Sequence, residues 1–275
     1  MRKAVSQKLF PTRVSELPFL LRPFGLLTRR VFLALGVRIR PYKFESDGMA
    51  TNHNVYFLSD NNFSESYSRS LAGAPFDYGI PWRVHQAIWC ANHGMNLADD
   101  AIFVELGTGR GFVMSAVLHS IGISNSTKPL PQVFLFDTFS PFETDGFSKQ
   151  DGSLGLNVHY ASNLQETQAN FSEWETVNFV EGELPSTLSV IQGQKISFLH
   201  VDLNAAEIEA ICLEYLWDQI VDFGIILLDD FANAGYPETA RIIGDFLKKR
   251  GQSILVTPSG QGIVLKSPSS PNRCW

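Results

Sequence analysis

Cysteine is scarce in this 275-residue chain: Cys90, Cys212 and Cys274 stand far apart, in no pairing pattern and in no Cys/His spacing suited to zinc. A disulfide framework is excluded, and a reduced, cytoplasmic setting is the expectation. Long apolar runs are missing as well. Phe19 to Leu27 and Val31 to Val37 are apolar stretches, but Arg22, Pro23, Arg29 and Arg30 interrupt them, well short of the ~20 residues a membrane span needs. No uninterrupted apolar core leads to a small-residue cleavage site, so a secretory signal is not expected either. Positive charge is sparse beyond the first 43 residues. Those hold ten Lys/Arg against Glu16 alone, whereas the remainder has 12 basic and 27 acidic residues, a net charge of −15. A basic arm on an acidic body suits an anionic membrane surface, nucleic acid, or a self-docking or dimer contact. The expectation is a homo-oligomer with no nucleic-acid partner, membrane-surface contact by the arm being the alternative.

What is present is the composition of an ordinary globular protein, 44% hydrophobic and 18% charged, long enough for one large domain with an appendage. Ile102 to Leu106 reads as a buried parallel strand, apolar except for Glu105, that stops at the alternate glycines Gly107, Gly109 and Gly111. Glycines at a strand-to-helix turn let the chain bend sharply and bring backbone N–H groups and a helix N-terminus against a ligand. A dinucleotide fingerprint would carry its third glycine three residues after the second, where Phe112 stands. With no Tyr-x-x-x-Lys pair either, a nicotinamide oxidoreductase is set aside.

Strands and helices alternate from there. Pro81 opens a helix over Trp82 to His93, ended by Gly94. A helix is expected over Phe112 to Ser120, a strand over Val133 to Phe136 with Asp137 at its carboxyl end, and a helix over Ala161 to Phe171. Strands follow at Val177 to Val180, before Glu181-Gly182-Glu183, at Ile196 to Val201, before Asp202, and at Gly224 to Leu228, before Asp229 and Asp230. Helices at Glu207 to Ile220 and Pro237 to Arg250 flank the last of these, and a closing hairpin joins Ser253 to Val256 with Gly262 to Lys266. Phe44 to Ile80 reads as irregular structure with short helices covering the mouth of a site, and the long polar segment 140–160 as a lid. The fold expected is α/β, a doubly wound, seven-stranded, mostly parallel sheet of the Rossmann-like type, with residues 1–80 as an N-terminal extension and 81–275 as the main domain.

In such sheets ligands bind beyond the carboxyl ends of the strands, so Glu105, Asp137, Asp202, Asp229 and Asp230 should face one crevice. Asp137 is placed to accept hydrogen bonds from ribose hydroxyls. Asp202, Asp229 and Asp230, gathered without a counter-charge, would repel one another, and their grouping calls for a cation or a buried base. Oxygen-only ligands suit Mg²⁺, or Mn²⁺ or Ca²⁺.

The acidic strand end followed by G-x-G-x-G resembles the first motif of the class I S-adenosylmethionine (SAM) methyltransferases. Together with Phe136-Asp-Thr-Phe139, the run from Phe198 to Glu207 and Ile225-Ile-Leu-Leu-Asp-Asp230, it resembles the macrocin O-methyltransferase family over roughly residues 81–266. The resemblance implies Mg²⁺-dependent methylation of a sugar hydroxyl. Glu105, Gly107, Thr108, Gly109, Gly111, Asp137, Thr138, Gly182, Glu183 and Asp202 would hold SAM, and Asp202, Asp229 and Asp230 the metal. One departure stands out. The family commonly shows D-x-D after the fourth strand, and its second aspartate has been taken as general base; this chain has Asn204, which can orient a hydroxyl but cannot accept its proton. His200, Glu207 and His159 are the alternatives for that task, and a non-catalytic SAM-binding scaffold is the alternative function.

Overall fold

A computed structural model describes residues 42–124, 128–140 and 163–268, so most of the basic arm and of the expected lid lie outside the described residues. The chain divides into two compact units, Met1–Val55 and Tyr56–Trp275. The described part of the first is a hairpin of β1 (Phe44–Ser46) and β2 (Met49–Thr51), turned by Asp47 and Gly48, both at positive φ as a tight two-residue hairpin requires.

The second unit is built on a seven-stranded sheet. Its strands are β3 (Ile102–Leu106), β4 (Val133–Asp137), β5 (Val177–Glu181), β6 (Ile196–Val201), β7 (Ile220–Leu228), β8 (Leu255–Val256) and β9 (Gly262–Leu265). The order is β5-β4-β3-β6-β7-β9-β8, with the β7–β9 and β9–β8 pairings antiparallel and every other pairing parallel. The chain winds outward from β3 through β4 to β5, then crosses back to lay β6 on the other side of β3. The reversal opens a crevice at the carboxyl ends of β3 and β6.

Two apolar cores fill the faces of this sheet, and the period-2 alternation of the strands decides which side chain goes where. Phe103, Phe198, Ile225 and Leu227 face the helices α1 (Asn61–Ser70), α2 (Pro81–Gly94) and α3 (Phe112–Ser124). Val104, Leu106, Leu199, Val201, Ile226 and Leu228 face α5 (Ala206–Leu216) and α6 (Pro237–Lys249). The short helix α4 (Leu164–Asn170) is capped by Asn163, whose side chain accepts the N–H groups of Gln165 and Glu166. Among the described residues no helix is long and apolar enough to cross a membrane.

One of the short helices expected between Phe44 and Ile80 spans residues 61–70, capped by Asp60 and tied to α3 by Asn62, whose side chain donates to the Ser120 carbonyl at 3.2 Å. One difference from the sequence reading has a local cause. The helix expected to reach Ile220 stops at Leu216, passes through one 3-10 turn, and gives way to β7 at Ile220, which pairs with Ile196. Lys266 fixes that junction. Lys266 is only 5% exposed, and its ammonium donates to the carbonyls of Trp217 and Ile220 at 2.8 and 2.6 Å, satisfying acceptors that a continued helix would otherwise have used. Replacing it with methionine (Lys266→Met) leaves both carbonyls buried and unpaired. The variant is expected to lose about 1–3 kcal/mol of stability in urea titration, and an unchanged midpoint would show that the junction stands without the ammonium.

Candidate active site

The tips of β3, β6 and β7 end side by side, and the ladder continues past them. The Asp202 N–H donates to the Leu106 carbonyl at 2.8 Å, and the Asp229 N–H to the Val201 carbonyl at 2.9 Å. Glu105 is the register partner of His200, which in turn pairs with Leu227, so the pleat sends Glu105, His200 and Asp229 to the α2 side of the sheet. His200 Nδ1 lies 2.8 Å from Glu105 Oε1, and its Nε2 lies 3.6 Å from Asp229 Oδ1. Burial pushes this imidazole toward neutrality, but Asp229 and Glu105 outweigh burial and raise its pKa to about 10, so it is a cation at neutral pH.

A second cation arrives from the first turn of α2. Arg83, 8% exposed, directs Nη1 to Asp229 Oδ2 at 2.5 Å, to Asp230 Oδ1 at 3.0 Å and to the Asp229 carbonyl at 3.1 Å. Gln261 donates to the other Asp229 oxygen at 2.6 Å, and Asn233 donates to Asp230 Oδ1 at 2.7 Å. Burial works to raise the pKa of Asp229, yet His200, Arg83 and Gln261 hold it well below the usual carboxylate range. Asp202 is the opposite case: burial, then the charges of Asp229, Asp230 and Glu105, push its carboxyl well above that range against the opposing charge of His200. Ligand oxygens of Asp202, Asp229 and Asp230 lie within 4.8 Å of one another. The triad therefore converges as expected, around cations the sequence reading had not named.

The glycine turn borders this cluster. Gly107 has φ +84°, and a Cβ there would meet the Asp202 carbonyl oxygen at 1.9 Å; Gly109 has φ +54°, and a Cβ there would stand in open space. Gly107 thus lets two strand tips close, while Gly109 lines a hollow. The turn's own N–H groups are occupied, contrary to expectation: Gly107 and Thr108 donate to the Phe136 carbonyl, Gly111 to Thr108, and Gly109 to Asp137 Oδ2 at 2.7 Å. The cause is β4, whose tip lies against the turn. The third glycine answers to packing, since a Cβ at Gly111 would enter the Phe171 ring. What the hollow does offer is polar atoms short of partners: Asn204 Oδ1 is buried without a hydrogen-bond partner among the described residues, and Glu105 Oε2 and Thr108 Oγ1 have none of good geometry there, the Thr108 hydroxyl lying near enough to Glu105 to favour its ionised form. Asp137 also accepts the Phe139 N–H at 2.8 Å, and its carbonyl accepts the Gly182 N–H at 3.0 Å, bringing Gly182 and the exposed Glu183 to the same rim. Thr138, on this rim, accepts from the Ser140 hydroxyl.

Asn204 occupies the left-handed region, at φ +55°. Asn tolerates that region better than most residues. Glu209, 3% exposed in the first turn of α5, braces the loop by accepting backbone N–H groups of Leu203, Ala205 and Asn204. His159 lies outside the described residues, and Glu207 is exposed at the start of α5.

A parallel sheet reversing direction at an acid-tipped β3, followed by a glycine turn and closed by an antiparallel hairpin, defines a Rossmann-like class I methyltransferase. The profile of the macrocin-O-methyltransferase (TylF) family matches residues 93–256, and the chain belongs to that family. It is a SAM-dependent O-methyltransferase. The fold is similar to that of the O-methyltransferase NovP, with a TM-score of 0.56 and 16% identity over 73% of this chain and 88% of that one. It is also similar to CalS11, a calicheamicin methyltransferase, with a TM-score of 0.54 and 15% identity over 75% of this chain and 93% of that one. In a second structure, CalS11 is described as a TDP-rhamnose 3'-O-methyltransferase, and there the TM-score is 0.50 at 16% identity over 75% and 95%. No curated protein sequence matches the chain closely enough to count as a relative.

Two outcomes check this geometry. Gly109→Ala should fold with a loss of only about 1 kcal/mol yet bind S-adenosylhomocysteine much more weakly in calorimetry. Gly107→Ala should lose both stability and binding; wild-type affinity in Gly109→Ala would show that the hollow is not the cofactor's. The second concerns Glu209, whose pKa burial raises from 4.5 to about 7. Between those values the folded chain keeps a proton that the unfolded chain has released, so wild-type stability from this group is lost as pH rises through that window. Thermal melts should show Glu209→Gln gaining on wild type from pH 5 to pH 8; a constant difference would contradict the assignment.

Proposed function

We propose that the chain methylates a hydroxyl of a sugar or glycosylated small molecule beyond the tips of β3, β6 and β7, with a divalent ion at the carboxylate cluster. The observation that carries this is the pairing of two features in one crevice: buried, unpartnered acceptors at Glu105 and Asn204, and a carboxylate at Asp202 with no ion-pair partner among the described residues. When bound, SAM supplies a methyl group on a sulfonium sulfur, and its loss yields S-adenosylhomocysteine. Glu105 Oε2 would accept the cofactor's ammonium, the space beside Gly109 would admit its chain, and Asp137, Thr138, Gly182 and Glu183 would border the nucleoside. Oxygens of Asp202, Asp229 and Asp230 would hold an ion such as Mg²⁺, which when bound favours the ionised form of a hydroxyl it touches. Asn204 Oδ1 would accept the acceptor's O–H and aim its oxygen at the methyl group, a matter of orientation worth several kcal/mol when reacting atoms are held near contact. The likeness to CalS11, a TDP-rhamnose 3'-O-methyltransferase, supports a nucleotide-linked sugar as the first acceptor class to try. Residues 1–55 would then be an appendage carrying the basic arm, and 56–80 part of the catalytic body, whose α1 covers α3.

The test is transfer of radiolabelled methyl from SAM to TDP-rhamnose and related nucleotide sugars, with and without EDTA. Labelled sugar is expected, with a rate that falls on chelation and falls by about 10²-fold or more in Asp230→Asn. A folded protein that binds S-adenosylhomocysteine but labels no sugar would remove the acceptor reading, and transfer indifferent to EDTA would remove the metal.

A further inference from the structure

Arg83 lies outside the segment that matches the family profile, as does Gln261, yet both touch Asp229 inside the cluster assigned to a metal. One guanidinium nitrogen sits between Asp229 Oδ2 and Asp230 Oδ1, at 2.5 and 3.0 Å, a bridging position that a divalent ion held by these two carboxylates would also take. Gln261 claims the remaining oxygen of Asp229 and leaves its own Oε1 buried without a partner among the described residues. Both groups arise from fixed supports: Arg83 from the first turn of α2, where Ala87, Ala91 and Gly94 on the same buried stripe seat the helix on the sheet, and Gln261 from the residue before β9. Asp202 takes no part in this arrangement and has no ion-pair partner among the described residues.

We infer that Arg83 is a resident counter-cation of the carboxylate cluster, placed so that its guanidinium and a divalent ion exclude each other between Asp229 and Asp230. The inference rests on the divalent-ion reading above and adds a property to it. The cluster is held together by the chain's own charge when no ion is bound, and an ion enters only by displacing Arg83 or by binding on the Asp202 side alone. Coulomb repulsion sets the cost. A guanidinium kept beside a divalent ion in a shielded crevice repels it far more strongly than it would in bulk water. Ion affinity in the wild type is therefore weakened by the residue that stabilises the ion-free form. Arg83 acts as a positioning residue for the site, because it is the carboxylates and not the acceptor that it holds.

The experiment measures Mn²⁺ binding by electron paramagnetic resonance of free Mn²⁺, alongside thermal melts in EDTA and in saturating Mn²⁺, for wild type, Arg83→Gln and Arg83→Lys, with S-adenosylhomocysteine binding as the control for an intact fold. Arg83→Gln should bind Mn²⁺ at least about tenfold more tightly than wild type, a change of about 1.4 kcal/mol. Its melting temperature should fall in EDTA and recover with Mn²⁺, whereas wild type should respond little. Arg83→Lys, which keeps the charge but not the planar fork, should fall between the two. A merely structural arginine would lower stability without tightening the ion. Equal Mn²⁺ affinity in wild type and Arg83→Gln would overturn the inference and leave the metal site standing. Failure of both to bind Mn²⁺ while both bind S-adenosylhomocysteine would overturn it together with the metal reading, and a variant unfolded even at saturating Mn²⁺ would also overturn it.

Discussion

Charge compensation at the strand tips is the constraint on which the rest of this site depends. Parallel strands that end in step bring whatever follows them into one place, and here four carboxylates follow or end three adjacent strands: Glu105, Asp202, Asp229 and Asp230. Buried carboxylates without partners cannot all remain ionised. The fold supplies two cations to the group, His200 from the middle strand and Arg83 from the helix that covers it. Asp202 is left without an ion-pair partner among the described residues, and burial together with Asp229 pushes its carboxyl toward the neutral form. The family's chemistry brings a sulfonium cofactor to these strand tips, and the divalent ion proposed above would answer the same imbalance of charge.

The same constraint explains why the pleat is so strictly kept. Glu105 and His200 meet only because they are register partners, and His200 reaches toward Asp229 only because residues two apart on neighbouring strands share a face. A slip of one residue would turn Glu105 into the opposite, wholly apolar core that holds Val104 and Leu106. The Phe103 and Phe198 pair, packed edge to face at 5.3 Å one step below Glu105 and His200, and the Gly94 end of α2 above it guard that register. Function and packing are therefore not separable along β3 and β6.

Much of this was legible in the residues. Buried parallel strands read as apolar runs, and acidic residues directly after them had to share the crevice, which located Glu105, Asp137, Asp202, Asp229 and Asp230 before any coordinates. The demand for a cation was legible too, but not its source. Arg83 continues backward the buried stripe of Ala87 and Ala91 at helical spacing, so the signal was there in principle, masked by the habit of arginine to sit in solvent. Gln261 follows a turn-rich connection whose direction no local pattern fixes. The end of α5 was misread because Lys266, distant in sequence, takes the carbonyls that would have let the helix run on. The occupied N–H groups of the glycine turn escaped notice for a similar reason, since β4 competes for them only once the sheet has formed.

Asn204 gains its meaning from this balance. An aspartate at that position would add a fifth negative charge beside a carboxyl, Asp202, that burial and Asp229 already push toward its neutral form, and nothing among the described residues stands ready to offset it. Asparagine keeps the shape, tolerates the left-handed backbone that the loop braced by Glu209 imposes, and leaves an oxygen free to accept a hydroxyl. It also gives up the capacity to take the proton. A site that carries its own guanidinium has less need of a metal for cohesion, and one that lacks the aspartate has more need of a metal, or of an acceptor already prone to ionise, for chemistry. Those two features pull in opposite directions, and the acceptor is the variable that must reconcile them.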